Sequence, residues 1–255
     1  LYSLLSTDRT RVIAISRAVK DSLPPRLVTR ATVIHNGVAI PSHPRFRPKG
    51  SKRVAFVYVG RVVPWKGCDL LIDAFAQLQS RRSDHDLTLS IIGDTSYWPM
   101  AYRDALMRRI KDNGVEKSCA LSPHTDDPYR ELLQSDVFCT ASHSEPFGRS
   151  VAEAQACGLP VVAFRTGGIA EIVKDGVTGI LVQEGDVMAF CDAMERFSED
   201  PRIIRIMGEA GRARTTEHFN RNVQVPRIAQ ELFSMTGRER EVGTFAGSGL
   251  TPNLP

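Results

Sequence analysis

The sequence lacks a long apolar segment and has no large excess of charge of either sign. Its longest apolar runs, at residues 54–59 and 160–164, fall far short of the roughly 20 residues that cross a bilayer, so no transmembrane segment is expected. Lys and Arg number 33 against 29 Asp and Glu, a net charge of +4 over 255 residues. This slight excess argues against a nucleic-acid partner, but it suits a site that binds an anion.

Cysteine is scarce and has no metal-binding spacing. The five cysteines are an odd number, their nearest pair is 18 residues apart, and no Cys-x-x-Cys occurs. This pattern excludes the usual structural zinc sites and predicts small core residues in a reducing compartment. The first residues also lack the apolar core of a signal peptide. We therefore expect a cytoplasmic protein, or one peripheral at the inner membrane face.

Several familiar glycine-rich motifs are missing as well. There is no G-x-x-x-x-G-K-[ST] phosphate loop, no G-x-G-x-x-G after a predicted strand and no G-x-S-x-G. Their absence excludes the common NTPase, dinucleotide-binding and serine-hydrolase signatures.

Short apolar runs alternate with segments of helical periodicity along most of the chain. Six runs predict buried strands, at residues 54–59, 87–92, 119–121, 136–140, 160–164 and 179–182. Strands separated by helices predict an α/β fold with a Rossmann-like, doubly wound parallel sheet. Two more strands are predicted near the start, at 12–15 and 31–34, before a proline-containing linker. The tail at 237–255 is rich in small and polar residues, which predicts flexibility.

The segment from Ser144 to Glu171 has the most functional features. Gly148 opens a predicted helix, and a helix N-terminus presents unpaired backbone N–H groups to an anion. Glu153 lies on that helix and Glu145 eight residues earlier, and such carboxylates accept hydrogen bonds from vicinal sugar hydroxyls. Glu171 is a weaker candidate for ligand binding. It lies at a predicted helix start, where an acidic residue is favourable in itself.

A second segment, Gly60-Arg-Val-Val-Pro-Trp-Lys-Gly67, directly follows the first strand of the predicted sheet. Ligands of open parallel sheets bind at the carboxyl ends of strands, where this loop must lie. Arg61 and Lys66 would supply two positive charges there. Trp65 has two interpretations, a residue covering the pocket or one at a domain interface.

Together these segments resemble the retaining glycosyltransferases of family 4, which have the two-domain GT-B fold. The resemblance covers about residues 10–235 and rests on GRVVPWKG, the Glu-x7-Glu spacing, ACGLPVV, the Gly-Gly-x-x-Glu at 167–171 and HNGVAI, which has histidine where proline is usual. It implies that residues 41–236 form the C-terminal nucleotide-sugar-binding domain. Residues 1–40 would then be the end of an N-terminal domain and the interdomain linker.

The resemblance also implies roles for individual residues. Arg61, Lys66 and Glu145 would be catalytic: the two cations hold the diphosphate and stabilise it as a leaving group, and the carboxylate contacts donor-sugar hydroxyls. Glu153 would bind the ribose, and Pro123 would lie near the base. The remaining donor-binding residues implied are Gly60, Phe147, Gly148, Arg149 and Ser150.

The implied reaction transfers a sugar from a nucleoside diphosphate donor to a hydroxyl acceptor with retention of anomeric configuration. No cofactor or metal is expected, because the two cations can stabilise the leaving group and no Asp-x-Asp pair is suited to hold a metal. The acceptor is unknown, and its domain would be missing or supplied by a separate chain. Two alternatives stay open: a non-catalytic nucleotide-sugar-binding module that needs a partner, and a nucleotide-sugar epimerase of GT-B type.

Overall fold

A computed structural model of the chain describes residues 11–43, 53–96 and 98–235. The predicted tail at 237–255 and part of the predicted linker, at 44–52, lie outside the described residues. The first described elements form a small unit of their own. Strands β1 (Val12–Ala14) and β2 (Ala31–Val33) pair in parallel, and helices α1 (Arg17–Asp21) and α2 (Pro25–Val28) connect them. The sequence did not predict α2.

The six predicted strands of the main sheet are all present. They are β3 (Val54–Val59), β4 (Leu87–Ile92), β5 (Cys119–Ser122), β6 (Val137–Thr140), β7 (Val161–Phe164) and β8 (Gly179–Val182). Their order is β5-β4-β3-β6-β7-β8 and every pair is parallel. The chain fills one side of β3 first and then returns to fill the other side. This is the doubly wound α/β sheet that the sequence predicted.

Helices cover both faces of this sheet. They are α3 (Cys68–Arg81), α4 (Met100–Asp112), α5 (Pro128–Leu133), α6 (Arg149–Ala156), α7 (Ile169–Ile172), α8 (Val187–Glu199), α9 (Pro201–His218) and α10 (Arg221–Met235). Within the described ranges, none of these helices is both long and apolar enough to cross a bilayer.

The helix boundaries follow from capping residues. Asp127 Oδ1 accepts a hydrogen bond from the Arg130 amide at 3.1 Å, so the Asp-Asp-Pro sequence opens α5. Asp186 caps α8 in the same way, through the Ala189 amide at 2.9 Å. Such caps satisfy amides that have no partner inside the helix.

The core consists of two apolar layers, one on each face of the sheet. All six residues of β3 are buried, as its continuous apolar run predicted. All five cysteines are buried and free, which confirms them as core residues. Burial raises the pKa of both Cys119 and Cys157 to about 12, so neither thiol ionises near neutral pH.

The last described helix returns to the start of the chain. The Val38 amide donates to the Phe219 carbonyl at 2.8 Å, and the Val38 carbonyl accepts from the Arg221 amide at 2.9 Å. Farther along α10, the Thr32 hydroxyl donates to Glu231 at 3.1 Å. The small N-terminal unit is therefore attached to the end of the main domain as well as to its beginning.

Candidate functional site

The candidate site lies where the strand order reverses. Strands β4 and β5 extend the sheet on one side of β3, and β6, β7 and β8 extend it on the other. The loops that leave the carboxyl ends of β3 and β6 therefore diverge and open a crevice, the usual ligand position in this architecture. We call residues 60–67 the β3 loop and residues 141–148 the β6 loop.

The β3 loop is held tightly at both ends. The buried Tyr58 hydroxyl donates to the Arg61 carbonyl at 2.8 Å. At the other end, Gly67 has φ +64°, and a Cβ there would lie 2.1 Å from the Ala141 carbonyl oxygen. The two loops thus touch through backbone, which only glycine permits at this position.

An ion pair joins the two loops across the crevice. The Lys66 ammonium contacts Glu145 Oε2, and both side chains are largely buried, at 14% and 16% exposure. Low exposure strengthens the attraction because less water screens it. The structure therefore brings two residues that the sequence singled out, 79 positions apart, into direct contact.

Arg61 occupies a different environment. It is exposed and, among the described residues, its side chain makes no hydrogen bond or ion pair, so its charge is available to a ligand. It lines a cavity of about 600 Å³ at the carboxyl ends of β3, β4 and β5, a size typical of small-molecule sites. The other lining residues are Val59, Gly60, Ile92, Gly93, Asp94, His124, Thr125, Asp126 and Pro128.

The start of α6 is open to an anion. Gly148 precedes the helix with φ +100°, and no side chain caps the first amides. Arg149 is exposed and Ser150 half-buried in this first turn. The Phe147 side chain, by contrast, is buried in the core, so only its backbone faces this region. Uncapped amides at a helix N-terminus attract phosphate.

Glu153 lies one turn farther along α6 and is 7% exposed. Its Oε1 accepts from Arg149 Nε at 2.9 Å, and its second oxygen has no hydrogen-bond partner among the described residues. Burial raises the pKa of Glu153, although the Arg149 charge and hydrogen bond oppose that effect. A buried carboxylate with one open oxygen can accept the hydroxyls of a sugar.

The Gly167-Gly168 pair shapes the backbone of the β6 loop. The Gly168 amide donates to the Glu145 carbonyl at 2.8 Å, and a Cβ on Gly167 would lie 2.2 Å from that same oxygen. The two glycines thus admit the closely packed β6 loop, which fixes the backbone from which the Glu145 side chain projects.

Other predicted residues lie at the edge of the site. Pro123 is exposed and is not among the cavity-lining residues, although the next residue, His124, is. Trp65 is 38% exposed and packs edge-on against Trp98, with ring centroids 5.4 Å apart. Near them, His143 of the β6 loop, which is not among the predicted site residues, is paired with Glu184 at 2.8 Å.

The sequence contains one Asp-x-Asp, Asp84-His-Asp86. The Asp86 carbonyl accepts from the Val54 amide, at the amino ends of β3 and β4. It therefore lies at the edge of the sheet opposite the site. Over the residues that the structure describes, no cluster of three His, Cys, Asp or Glu side chains could hold a metal.

Two functional features were missed from the sequence. The Tyr58 hydroxyl that holds the β3 loop belongs to a residue that looks like any other buried strand residue. Glu171 lies in the first turn of α7, as its position suggested, but its carboxylate bonds to the amides of Arg17 and Ala18 and to His35. No sequence pattern links positions that lie more than 130 residues apart.

Comparison with known proteins decides the family. A model of the glycosyl transferases group 1 matches residues 40–214, more than half of the chain. The chain belongs to the group 1 glycosyl transferases. The β3 loop, the β6 loop and α6 all fall inside the matched region.

Curated relatives and solved structures agree with this assignment. The chain is 38% identical over 164 residues to D-inositol 3-phosphate glycosyltransferase from Kribbella flavida, which is 62% of this chain and 38% of the relative. It therefore spans about two fifths of that relative's length.

The structure of HepE from Anabaena, solved with UDP and glucose, matches with a TM-score of 0.79 and 27% identity, over 88% of this chain and 63% of HepE. A glycosyltransferase from Rickettsia africae matches with a TM-score of 0.83 at 20% identity, over 93% of this chain and 67% of that protein. The main domain has the Rossmann-like architecture of one GT-B half.

Proposed function

We propose that this chain is the donor-binding half of a retaining glycosyltransferase of family 4. The donor is a nucleoside diphosphate sugar, and the acceptor is a hydroxyl compound bound by an N-terminal domain. In this proposal residues 1–40 end that domain and supply the linker, and residues 41–236 bind the donor. HepE was solved with UDP and glucose, which supports a nucleotide-sugar donor here.

The observation that carries the proposal is the Lys66–Glu145 ion pair across the crevice. Without a ligand, the two charges neutralise each other. A bound diphosphate would compete with Glu145 for the ammonium, and the released carboxylate could then accept hydrogen bonds from sugar hydroxyls. The pair thus prepares adjacent positions for an anion and for a sugar, which is the composition of the donor.

The other groups bind different parts of the nucleotide. Arg61 and the uncapped amides of α6 surround the diphosphate with positive charge. The open oxygen of Glu153 accepts the ribose hydroxyls. The cavity at the ends of β3, β4 and β5 receives the base.

The reaction breaks the bond between the anomeric carbon and the diphosphate oxygen, and the electron pair stays on that oxygen. Lys66, Arg61 and the α6 amides stabilise the developing charge in a largely buried environment. The acceptor hydroxyl oxygen forms the new bond to the anomeric carbon on the same face of the sugar, which retains the configuration, and its proton passes to the departing diphosphate oxygen. In this scheme the two cations fill the role of a metal ion.

The test is the anomeric configuration of the product. The chain, expressed together with the acceptor-binding domain that the proposal places before it, is incubated with UDP-glucose, GDP-mannose or ADP-glucose and a panel of sugar and polyol acceptors, and the product is analysed by NMR. An α-linked product from an α-linked donor supports the proposal, and a β-linked product overturns retention.

A second candidate is a binding module without turnover by itself. The observation that favours it is that the groups of the crevice, the Lys66–Glu145 pair, Arg61 and the uncapped amides of α6, all suit a donor, and none of them is assigned to an acceptor. Donor binding without product in any acceptor reaction, with the acceptor-binding domain present, would support this candidate against the transferase.

A further inference from the structure

The small N-terminal unit is bonded to the back of the β6 loop and α7. The Ser16 hydroxyl donates to the Pro146 carbonyl at 2.5 Å, one residue after Glu145. Glu171 accepts from the amides of Arg17 and Ala18, both at 3.0 Å. These amides belong to the first turn of α1 and have no partner inside that helix.

A histidine completes this contact. His35 Nε2 lies 3.0 Å from Glu171 Oε2, and the imidazole ring packs against Phe147 and Phe219, with centroids 5.9 and 5.3 Å away. Arg214 fixes the other side of α7 by donating to the Glu171 carbonyl at 2.8 Å. The side chain of Glu171 is 18% exposed, so water weakens these bonds only partly.

Burial alone would raise the pKa of Glu171, but the hydrogen bonds from His35 and from the two amides outweigh it and lower the pKa. The residue is therefore ionised at neutral pH. Its three bonds are charge-assisted, the stronger class of protein hydrogen bond.

The contact reaches the candidate site through backbone. Glu171 lies three residues after Gly168, whose amide donates to the Glu145 carbonyl. Ser16 bonds the next carbonyl along, that of Pro146. The N-terminal unit therefore bonds the β6 loop directly at Pro146, and it is connected indirectly, through Glu171 and α7, to the carbonyl of the residue that pairs with Lys66.

We propose that Glu171 is a positioning residue: it fixes the N-terminal unit against the β6 loop and thereby sets the Glu145 carboxylate for the sugar end of the donor. The proposal rests on the proposed function. The N-terminal unit is also where an acceptor domain placed before residue 11 would join. The contact with Glu171 would therefore connect such a domain physically to the donor sugar.

The test compares two ligands on the same chain. Glu171→Gln keeps the size of the side chain but removes the charge. UDP-glucose needs the β6 loop, whereas UMP has neither the sugar nor the second phosphate. We expect about a tenfold rise in Kd for UDP-glucose and less than a twofold change for UMP, measured by calorimetric titration. Equal losses for both ligands, or no loss for either, would overturn the proposal.

Asp200→Asn is the matched control. Asp200 also accepts from a first-turn amide and from a cation, Arg202, at 3.0 and 2.8 Å, but at the junction of α8 and α9, outside the site. This variant should leave both Kd values unchanged. If this variant lost as much UDP-glucose affinity as the Glu171 variant, weakening a helix cap anywhere in the fold would have the same effect. The specific role of Glu171 would then be rejected.

Ser16→Ala is the second variant, in case Glu171→Gln does not fold. It removes the bond to Pro146 and should weaken UDP-glucose binding with the same selectivity over UMP. If the unmodified chain binds UDP-glucose but neither variant changes it, only this inference fails. If the unmodified chain binds no UDP-, GDP- or ADP-sugar, the proposed function fails and this inference fails with it. If the chain binds a GDP- or ADP-sugar instead, the same comparison is made between that sugar nucleotide and the monophosphate of the same base.

Discussion

Replacing Lys66 by methionine should remove most of the affinity for a nucleotide diphosphate. Methionine has a similar length and no charge, so the change removes the ammonium and leaves Glu145 without its partner. A charge-assisted contact contributes about 1.5–3 kcal/mol. Since 1.36 kcal/mol corresponds to a factor of ten, Kd should rise about 10- to 150-fold.

The corresponding thermal shifts are measurable. A ligand at about 100 times its Kd stabilises the folded state by roughly 2.7 kcal/mol. At about 2–4 °C per kcal/mol, the unmodified chain should gain roughly 5–10 °C. For a variant whose Kd is about 30-fold higher, the same ligand concentration contributes only about 0.9 kcal/mol, or roughly 2–3.5 °C.

The assay is a thermal melt with and without the sugar nucleotide, each variant being compared with its own ligand-free melting temperature. Lys174→Met is the control, because Lys174 is an exposed lysine before β8, at the amino edge of the sheet. The control should shift like the unmodified chain. A full shift for Lys66→Met would refute the role of this ammonium in binding the donor.

Three further predictions follow from burial and backbone geometry. Because burial raises the pKa of Glu153, the ionised form of this residue costs folding free energy at neutral pH. Glu153→Gln should therefore raise the ligand-free melting temperature at pH 7. Calorimetry should show this gain vanishing as the pH falls below about 4, where the carboxyl is protonated in both the folded and the unfolded chain. Gly67→Ala should destabilise the fold by about 3 kcal/mol or more, since the new Cβ meets a carbonyl, whereas Gly114→Ala, with φ +67° and open space, should cost only about 1–2 kcal/mol in denaturant titrations. A thiol reagent should modify none of the five buried cysteines in the folded chain and all five in denaturant, and fast labelling of the native protein would contradict the fold.

Much of the fold was predictable because its signals are local. A continuous apolar run ending in glycine identified β3, and helical periodicity identified α3, within one or two residues of the observed bounds. Helix α2 escaped because four residues after a proline carry too little periodicity. The attachment of α10 to the N-terminal unit was also missed, since it depends on contacts between the two ends of the described chain.

The site was predictable in part for the same reason. Arg61, Lys66 and Glu145 lie in loops that follow predicted strands, so topology alone placed them on one edge of the sheet. What the sequence could not show is how they differ: Lys66 is paired with Glu145, whereas Arg61 lines the cavity. Nor could it show that Glu171 bonds to the start of α1, because that contact spans about 150 residues and has no motif.

The most direct test of the central claim is a thermal-melt panel of this chain with UDP-, GDP- and ADP-sugars, run beside Lys66→Met and Glu153→Ala. We expect a shift of about 5–10 °C with one nucleotide class at saturating ligand, greatly reduced in both variants. That result would establish the donor site and identify its base. The absence of a shift with every nucleotide, or a shift that both variants retain in full, would contradict the assignment of this crevice as a nucleotide-sugar site.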